Sequence, residues 1–518
     1  MAGKWLRKIG TMLIAAAAVL GAVSCGNGQG NYDMGYYRGT EPVTLTVAWT
    51  ENGSVVDTQD MPTLVKAREM TNIGLKNILP KNVTDWQQAL GMLVAADKEP
   101  DIIHLYTQTA INQYTINGTL RPLDELIEEY APNIKRFFEE NPDLREVTQW
   151  KDGKIYFLPC YTDGEFSNGW FIRKDWLDRL GLKEPESVEE YYQVLKAFKT
   201  QDPNGNGIAD EIPYFNRKAG VDYTESVTCL LQLWDTNQGI MEKNGTIVYA
   251  PCEPEFIEAI SNIAKWYKEG LIDPEIYTRG SGARDELLGK DVGGSTYDWF
   301  GSTALYNNRL QDEIPGFSFV PMAPPSGANY DSRQPTKDAG WGISAKSENA
   351  VEAIRYMDFW FSPEGRILAN YGIEGETYDM VDGKPQLKEN IINSHDEGSV
   401  VDVLNTYGAQ LSMAYHQDFE YERQWLTPVA LAGIDDYMNN GYLKKYVNRK
   451  YTPNEEDSKK ATELLATLSD YVSDMEQKWV LGELDIASTY NEFLSTLHNM
   501  QVDELIAIHR RAYEAAGE

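Results

Sequence analysis

The chain has 518 residues, a formal net charge of −32 at pH 7 and only four cysteines. This acidity argues against nucleic acid as a partner, because phosphate binding requires a basic surface. So few cysteines in so long a chain argue against a disulfide scaffold. The length exceeds what one hydrophobic core usually supports, so we expect at least two lobes.

The first 24 residues have the pattern of an export signal. Lys4, Arg7 and Lys8 form a basic start, and an apolar run from Ile9 to Val23 follows. The segment "AVSC" ends at Cys25 and resembles a lipobox, whose cysteine carries lipid such as palmitate and becomes the new N-terminus. An ordinary secretory peptide cleaved elsewhere is the alternative. Removal of the signal takes the formal charge to −35, since three basic residues leave with it.

The segment that follows is expected to be a tether. Residues 25–42 are rich in glycine and polar side chains, which is typical of a flexible linker. A lipid on Cys25 then predicts a protein anchored at the extracytoplasmic face of a bacterial cell membrane. No later segment approaches the roughly 18 consecutive apolar residues of a membrane-spanning helix.

The first part of the mature chain predicts an α/β region. The sequence "VTLTVAW" (43–49) alternates as a strand does, and "PDIIHLY" (100–106) is a nearly continuous apolar run typical of a buried strand. Between them, Thr84 and Gln87 have capping-box spacing at the start of an amphipathic helix. This order of strand, helix and strand predicts a parallel sheet.

A second α/β region is predicted to open at residues 168–182. Ser187 and Glu190 have capping-box spacing before a helix whose inward stripe comprises Tyr191, Val194, Leu195 and Phe198. After the segment "AVEAIRYMDFWFSPEGRILANYG" (350–372) the pattern is mainly helical. One long amphipathic helix is marked by Ala461, Leu464, Leu465, Leu468, Val472 and Met475.

The stretch "DPNGNGIADEIP" (202–213) begins as a calcium-binding loop does. Oxygen donors fall at positions one, three, five, seven and nine of the loop, and Gly207 stands where a sharp turn is needed. Pro213 occupies the place of the usual late glutamate, so Glu211 would have to close the shell from position ten. A glycine-rich turn is the alternative. The predicted ligands of a structural Ca²⁺ are Asp202, Asn204, Asn206, the Ile208 carbonyl, Asp210 and Glu211.

The sequence contains no motif for a histidine metal site, a serine nucleophile or nucleotide binding. The five histidines lie far apart without metal spacing, and GxSxG, Walker and GxGxxG motifs are absent from the sequence. With 79 acidic residues, a catalytic carboxylate pair cannot be singled out by counting. We expect no enzymatic activity. A bridge between Cys229 and Cys252 remains open.

Aromatic residues at predicted strand ends indicate a ligand cleft. Trp49 and Tyr106 end strands of the first region, and Tyr297 and Trp299 lie in "STYDWF". Ligands of open α/β sheets collect at the carboxyl ends of strands. Flat rings suit sugar faces, and carboxylates accept hydrogen bonds from hydroxyls. The full candidate set is Trp49, Glu51, Tyr106, Tyr161, Trp170, Tyr297, Asp298, Trp299, Trp341 and Tyr378.

Several segments together resemble family 1 of the extracellular solute-binding proteins of ABC importers, in its large lipoprotein-type subgroup. Besides the candidate calcium loop, they are "PLDELIEEYAPNI" (122–134), "DGKIYFLP" (152–159), "IRKDWLDRLGL" (172–182), "GLIDPE" (270–275) and "WVLGELDIASTYNEFLSTLHNMQVDELIAIHRRAYE" (479–514). They follow one another in the family's order over nearly the whole mature chain. The calcium ligands are carried over by the same resemblance.

The resemblance implies the type II fold of periplasmic binding proteins, with two α/β lobes, a hinge and a helical C-terminal region. We expect lobe 1 to comprise 43–158 with 298–345, lobe 2 to comprise 159–297 with 346–518, and Tyr297 to Phe300 to lie at the hinge. The implied function is capture of a carbohydrate, an oligosaccharide above all, by a monomer that delivers it to membrane permease subunits. A glycan-degrading enzyme, a non-transporting glycan-binding lipoprotein and a sensor are the alternatives.

Overall fold

The computed structural model describes residues 30–31, 35–51, 53–83, 85–164, 166–217, 226–330, 333–394, 399–447, 451 and 453–516. Ten strands build its two main sheets. They are β1 (Val43–Ala48), β2 (Ile73–Asn77), β3 (Ile102–Leu105), β4 (Phe157–Thr162), β5 (Asn168–Arg173), β6 (Ile212–Tyr214), β7 (Gly293–Trp299), β8 (Phe319–Met322), β9 (Thr336–Ile343) and β10 (Tyr415–Gln417).

The first sheet has the order β10-β4-β9-β3-β1-β2. As predicted, β1 pairs in parallel with β3, and β2 is its parallel neighbour on the other side. Strand β9 runs antiparallel to both β3 and β4, so the sheet is mixed. The carboxyl ends of β1, β3, β4 and β10 therefore lie along one edge.

The second sheet has the order β6-β7-β5-β8. Strand β5 is antiparallel to β7 and β8, whereas β6 and β7 are parallel. The carboxyl ends of β6, β7 and β8 therefore lie at the edge where β5 begins. Four two-stranded ribbons complete the strands: Gly30–Asn31 with Arg38–Gly39, Thr50–Glu51 with Ser54–Val55, Ile240–Lys243 with Thr246–Tyr249, and Tyr378–Val381 with Lys384–Leu387.

Helices cover both sheets. Those beside the first sheet or after its last strand are Pro62–Thr71, Trp86–Ala95, Gln108–Ile116, Asp124–Tyr130, Pro132–Glu140, Pro142–Thr148, Ala350–Phe359, Pro363–Tyr371, Glu389–Ile392, Val400–Tyr407 and Phe419–Trp425. Those of the second region are Lys174–Leu180, Val188–Thr200, Pro254–Lys268, Ala283–Gly289, Phe300–Ala304, Tyr306–Leu310, Pro428–Asn440, Glu455–Val480, Ile486–Asn499 and Val502–Ala515, with 3₁₀ turns at Thr228–Trp234, Ala250–Cys252 and Gly280–Gly282.

Local sequence signals explain the best-predicted helices. Ser187 caps Val188–Thr200 by accepting a hydrogen bond from the Glu190 backbone N–H, and the predicted inward stripe is buried. The long helix Glu455–Val480 starts at Asn454, whose side chain accepts from the Asp457 N–H. In Trp86–Ala95 the cap is Asp85, which accepts from the Gln88 N–H, and the predicted cap Thr84 lies outside the described residues.

The end of the predicted tether is folded. Tyr36 and Tyr37 are buried in the core of the first lobe, and the Tyr36 ring packs edge-on to Phe359 at 5.3 Å. The prediction of a tether running to residue 42 is therefore wrong from residue 35 onward. Two tyrosines in "MGYYRG" supply apolar surface that a flexible linker lacks.

The two sheets also divide the chain differently from the predicted boundaries. Residues 300–322 belong to the second lobe, because Phe300 packs in its core and β8 pairs with β5. Residues 346–417 belong mainly to the first lobe, where the helix Ala350–Phe359 is buried and β10 pairs with β4. The predicted hinge at Tyr297–Phe300 is likewise wrong, since the chain continues within the second lobe after Trp299.

Among the described residues, the chain passes between the lobes at 163–164 with 166–167, at 323–330 with 333–335, and at 418–427, and these three crossings touch one another. Arg333 of the second crossing donates to both carboxylate oxygens of Glu422, at 2.6 Å each, and to Gln417 Oε1 at 2.8 Å. A β-carbon on Gly164 would lie 3.2 Å from the Phe419 ring and 3.3 Å from the Arg333 side chain, at a φ of +95°. This contact makes the crossings one structural unit, which fits a hinge.

Cys160, Cys229 and Cys252 are free thiols. The bridge between Cys229 and Cys252 that the sequence left open is therefore not formed.

Gly340 of the central strand β9 is packed so closely that a larger side chain should destabilise the protein. A β-carbon on Gly340 would lie 2.1 Å from the Leu158 carbonyl oxygen of β4, so we expect Gly340→Ala to destabilise the first lobe by about 2 kcal/mol. The control Gly91→Ala meets open space in a helix and should raise stability by about 0.5–1 kcal/mol. Thermal unfolding of both variants tests this, and a neutral Gly340→Ala would contradict the packing.

Candidate functional site

The strand ends that flank the three crossings are the candidate walls of a cleft between the lobes. On the first lobe, residues 49–51 follow β1 and Tyr106 follows β3. On the second lobe, Asp298 and Trp299 end β7, and Arg217 lies just beyond β6. These are the edges at which ligands of open α/β sheets collect.

The first-lobe wall carries a pair of partly exposed rings. The ring centroids of Trp86 and Tyr106 are 4.2 Å apart. Behind them His104 is buried, and burial lowers its pKa to about 3, so its imidazole is neutral. The wall therefore offers an aromatic surface backed by an uncharged core.

Glu51 lies on the same wall and is held in place. Its carboxylate accepts hydrogen bonds from the Ser412 backbone N–H and the Ser412 hydroxyl, both at 2.9 Å. Burial raises the pKa of Glu51, against the opposing effect of these bonds and the charge of Lys337. A fixed carboxylate of this kind can accept a hydrogen bond from a ligand hydroxyl.

The second-lobe wall combines an exposed ring with a charged pair. The Asp298 carboxylate accepts from Arg217 Nε at 2.8 Å and lies 3.3 Å from Arg284 Nη1. Trp299 is 55% exposed, and the Arg217 guanidinium carbon lies 5.2 Å from its ring centroid. The guanidinium therefore orients both Asp298 and Trp299.

A cavity of about 350 Å³ lies in the second lobe beside the crossing 323–335. The rings of Tyr330 and Tyr446 stack at 4.1 Å along its boundary. Its volume falls within the range of small-molecule sites. The lining residues are Thr228, Cys229, Gln232, Asn237, Gln238, Gly239, Tyr297, Tyr330, Tyr446, Leu465 and Ser469.

Of this lining, the sequence predicted only Tyr297. The other residues come from the 3₁₀ turn Thr228–Trp234, the loop before residue 240, two distant tyrosines and the long helix Glu455–Val480. No local motif joins them, because tertiary folding alone brings these segments together. Trp86 is likewise absent from the predicted ligand residues.

Besides Tyr297, which is a core residue that also lines the cavity, five residues of the candidate ligand set are core residues. Trp49 and Trp341 are buried together, with their rings at right angles and 5.2 Å apart. Tyr161 points away from the cleft into the first-lobe core, where its hydroxyl lies 2.8 Å from the Thr148 hydroxyl. Trp170 is buried in the second-lobe core, and Tyr378 belongs to a separate cluster beneath the ribbon 378–387. Their predicted contact with ligand is unsupported for this reason.

The candidate calcium loop is closed by its own hydrogen bonds. The Asp202 carboxylate accepts from the Asn206 and Gly207 backbone N–H groups at 3.1 and 3.0 Å. The Asn206 amide nitrogen donates to Asp210 Oδ1 at 3.2 Å. Asn204 donates to the Asp291 carbonyl at 3.0 Å, which joins the loop to the turn that precedes β7. The alternating side chains therefore converge on one side of the turn.

Glu211 is the unusual member of this loop. Its side chain is 1% exposed, yet neither carboxylate oxygen has a hydrogen-bond partner. Burial, and then the charges of Asp202 and Asp210, raise its pKa. A buried acceptor without a donor is costly, and a cation bound by these carboxylates would remove that cost.

The described residues also bear on metal binding elsewhere and on membrane insertion. Groups of three or more His, Cys, Asp or Glu side chains arranged to hold a metal are not found there, so any site in the loop depends on amide and carbonyl oxygens as well. In the same part of the chain no helix is both long and apolar enough to cross a membrane. Cys25 and the predicted signal lie outside the described residues.

Curated relatives are similar over the whole chain or part of it. The fructooligosaccharide ABC transporter substrate-binding protein FusA of Streptococcus pneumoniae serotype 4 (strain ATCC BAA-334 / TIGR4) is 22% identical over 99% of this chain and 98% of its own length. The lipoprotein LipO of Bacillus subtilis (strain 168) is 28% identical over 41% of this chain and 44% of its own length.

Solved structures share the fold. The alginate-binding protein AlgQ2, determined without calcium ion, is 34% identical, with 92% of this chain and 98% of that chain covered and a TM-score of 0.75. A human milk oligosaccharide (HMO) binding, ABC-transporter-associated solute-binding protein from Bifidobacterium longum infantis ATCC 15697 is 22% identical, with 92% and 99% covered and a TM-score of 0.72. The predicted type II fold is confirmed.

Residues 81–367 match the family of bacterial extracellular solute-binding proteins, a span that includes the second sheet, strands β3, β4 and β9 of the first sheet and two of the three crossings. The match covers more than half of the chain, and AlgQ2 extends the similarity to nearly all of it. The chain belongs to the bacterial extracellular solute-binding protein family.

Proposed function

We propose that the protein is the substrate-binding component of an ABC importer and captures an oligosaccharide between its lobes for delivery to membrane permease subunits. The observation that carries the proposal is the pair of aromatic surfaces, Trp86 with Tyr106 on one lobe and the exposed Trp299 on the other, at or beside the carboxyl ends of strands. Relatives named for fructooligosaccharide and alginate binding support it.

Sugar rings have apolar faces and polar edges, and the cleft offers a complement to both. Trp299, Tyr106 and Trp86 stack on ring faces, while Glu51 and Asp298 accept from hydroxyls at the edges. The cavity that ends at Tyr330 extends the site into the second lobe. Tyr297 contributes to this cavity and stays in the candidate set.

Binding and transport are coupled through the hinge. A ligand that touches both walls stabilises the closed form, and closure rearranges the crossings that meet at Gly164, Arg333 and Phe419. To turn a 1:99 population of closed and open forms into 99:1, the ligand must favour the closed form by about 5.5 kcal/mol. Several stacked rings can supply that difference.

The proposal includes a lipid anchor on Cys25. The basic and apolar N-terminus with "AVSC" supports it, as does the similarity to LipO, which is named a lipoprotein. The protein is then a monomer tethered to the extracytoplasmic face of the cell membrane, close to the permease.

A structural Ca²⁺ is proposed in the loop 202–211. The residues fit the ion, because carboxylates, amides and one carbonyl are its preferred ligands and Glu211 has two buried oxygens without donors. Asp202, Asn204, Asn206, Ile208 (through its carbonyl), Asp210 and Glu211 would hold it. The ion neutralises the buried carboxylate and fastens the end of the helix Val188–Thr200 to β6.

Binding without turnover distinguishes this function from a glycan-degrading enzyme. Incubation of the protein with the oligosaccharide it binds should release no new reducing ends. Release of reducing ends would overturn the transport proposal in favour of hydrolysis.

Trp299→Ala should weaken oligosaccharide binding. An exposed ring lost from the centre of the cleft removes about 1.4 kcal/mol or more, which is tenfold in Kd. Isothermal titration calorimetry measures this change. Met380→Ala removes a side chain that is 41% exposed in the ribbon 378–387 and should leave Kd unchanged. Equal affinities of wild type and Trp299→Ala would remove this wall from the site.

Calcium should stabilise the protein through the loop. At a calcium concentration 100 times its Kd, the free energy of unfolding rises by about 2.7 kcal/mol. We expect Asp202→Ala to abolish this gain, and Asp312→Asn, at an exposed carboxylate of another loop, to retain it. Thermal unfolding with added Ca²⁺ and with chelator tests this. A calcium-dependent rise in the free energy of unfolding that persists in Asp202→Ala would place the ion elsewhere.

A further inference from the structure

The cavity in the second lobe has a lining without charge. Its described lining residues are hydroxyls, amides, tyrosine rings, a thiol, a glycine and a leucine. Burial raises the pKa of Cys229 to about 12, so this group stays a neutral thiol. Such a surface can bind hydroxyls and ring faces, and it offers no cation to an anionic ligand.

Cations close to the cavity are already paired with carboxylates. Lys444 Nζ lies 5.1 Å from the Tyr330 ring centroid and donates to Asp235 Oδ1 and Oδ2 at 3.0 and 2.9 Å. Arg217 binds Asp298 through Nε and Nη2. A carboxylate ligand would therefore have to compete with Asp235 for Lys444, or displace the buried pair of Arg217 and Asp298, which is unfavourable.

A buried carboxylate stands directly behind the lining. Gln238 Nε2 donates to Glu476 Oε2 at 2.6 Å. Glu476 is 2% exposed and has no ion-pair partner among the described residues. Gln238 Oε1 accepts no hydrogen bond from the described part of the chain, so it is available to a ligand in the cavity.

We propose that this cavity binds an uncharged, hydroxyl-bearing sugar ring, and that Glu476 is a positioning residue that directs the Gln238 carbonyl oxygen toward a hydroxyl of that ring. The inference rests on the proposed function and adds to it the class of oligosaccharide, namely neutral glycans in preference to uronate chains. An ionised carboxylate only accepts hydrogen bonds. It therefore fixes the Gln238 amide with its nitrogen inward and its oxygen toward the cavity.

Protonation of Glu476 removes this constraint. Burial raises the pKa of Glu476 to about 7, against the opposing effect of the Gln238 hydrogen bond, and the neighbouring Tyr277 has its pKa raised by burial and then by the charge of Glu476, so its phenol stays neutral. A protonated carboxyl can donate to Gln238 Oε1, which allows the amide to turn and present its N–H₂ instead. Affinity should therefore rise with pH between 6 and 8, because the ionised form is the one that orients the acceptor.

The first experiment compares two panels of ligands with the purified protein. Isothermal titration calorimetry is run with neutral oligosaccharides of fructose, glucose, mannose and xylose, and with oligouronates of the same lengths. We expect binding of a neutral member at least about 100-fold tighter than any uronate. Tighter binding of an oligouronate would leave the proposed function standing and overturn this inference. Binding of neither panel would overturn both.

The second experiment isolates Glu476, with the bound neutral oligosaccharide as probe. We expect wild-type affinity to be about fivefold higher at pH 8 than at pH 6, and Glu476→Gln to show the weaker affinity at both values. Asp358→Asn is the matched control, because Asp358 is a buried carboxyl of the first lobe with a pKa raised to about 7. It should keep the wild-type pH profile.

A further variant distinguishes loss of the Gln238 acceptor from loss of structure. Gln238→Ala removes the acceptor and leaves Glu476 in place, so it should lower affinity by about fivefold and flatten the pH profile. Circular dichroism and thermal unfolding establish that each variant is folded. A folded Gln238→Ala with wild-type affinity and profile would overturn the inference.

Discussion

The contact of the three chain crossings is the constraint on which the rest of the structure depends. Arg333 joins the second crossing to the third through Glu422 and Gln417, and Gly164 of the first crossing packs against both Arg333 and Phe419. Each lobe has its own core. In the proposed closure, the crossings are therefore the region that moves, and the cleft that they border changes shape.

The cleft differs in character from the rest of the surface. A chain with a net charge of −32 is well solvated and repels anions at long range. The second-lobe cavity, in contrast, is lined by uncharged groups with Glu476 behind them. In the proposed mode of binding, long-range repulsion and local chemistry therefore favour the same class of ligand, and the aromatic rings of both walls add affinity that does not depend on charge.

Features encoded in short stretches of sequence were predictable, and features that require distant segments were not. The stripe Tyr191, Val194, Leu195 and Phe198 and the loop 202–211 are local, so periodicity and spacing found them. Position at a strand end was a weaker guide. Tyr161 lies next to the end of β4, but alternation along the strand turns its ring into the core. The lobe boundaries and the cavity lining depend on how the chain crosses between the sheets. A short stretch of sequence does not predict these crossings.

The central claim is that an oligosaccharide closes two rigid lobes about a single hinge. Small-angle X-ray scattering of the protein with and without a saturating oligosaccharide tests it most directly. A decrease in the radius of gyration at constant mass is the predicted result, since closure brings the lobes together without change of oligomeric state. An unchanged radius of gyration under conditions where calorimetry shows full occupancy would contradict it.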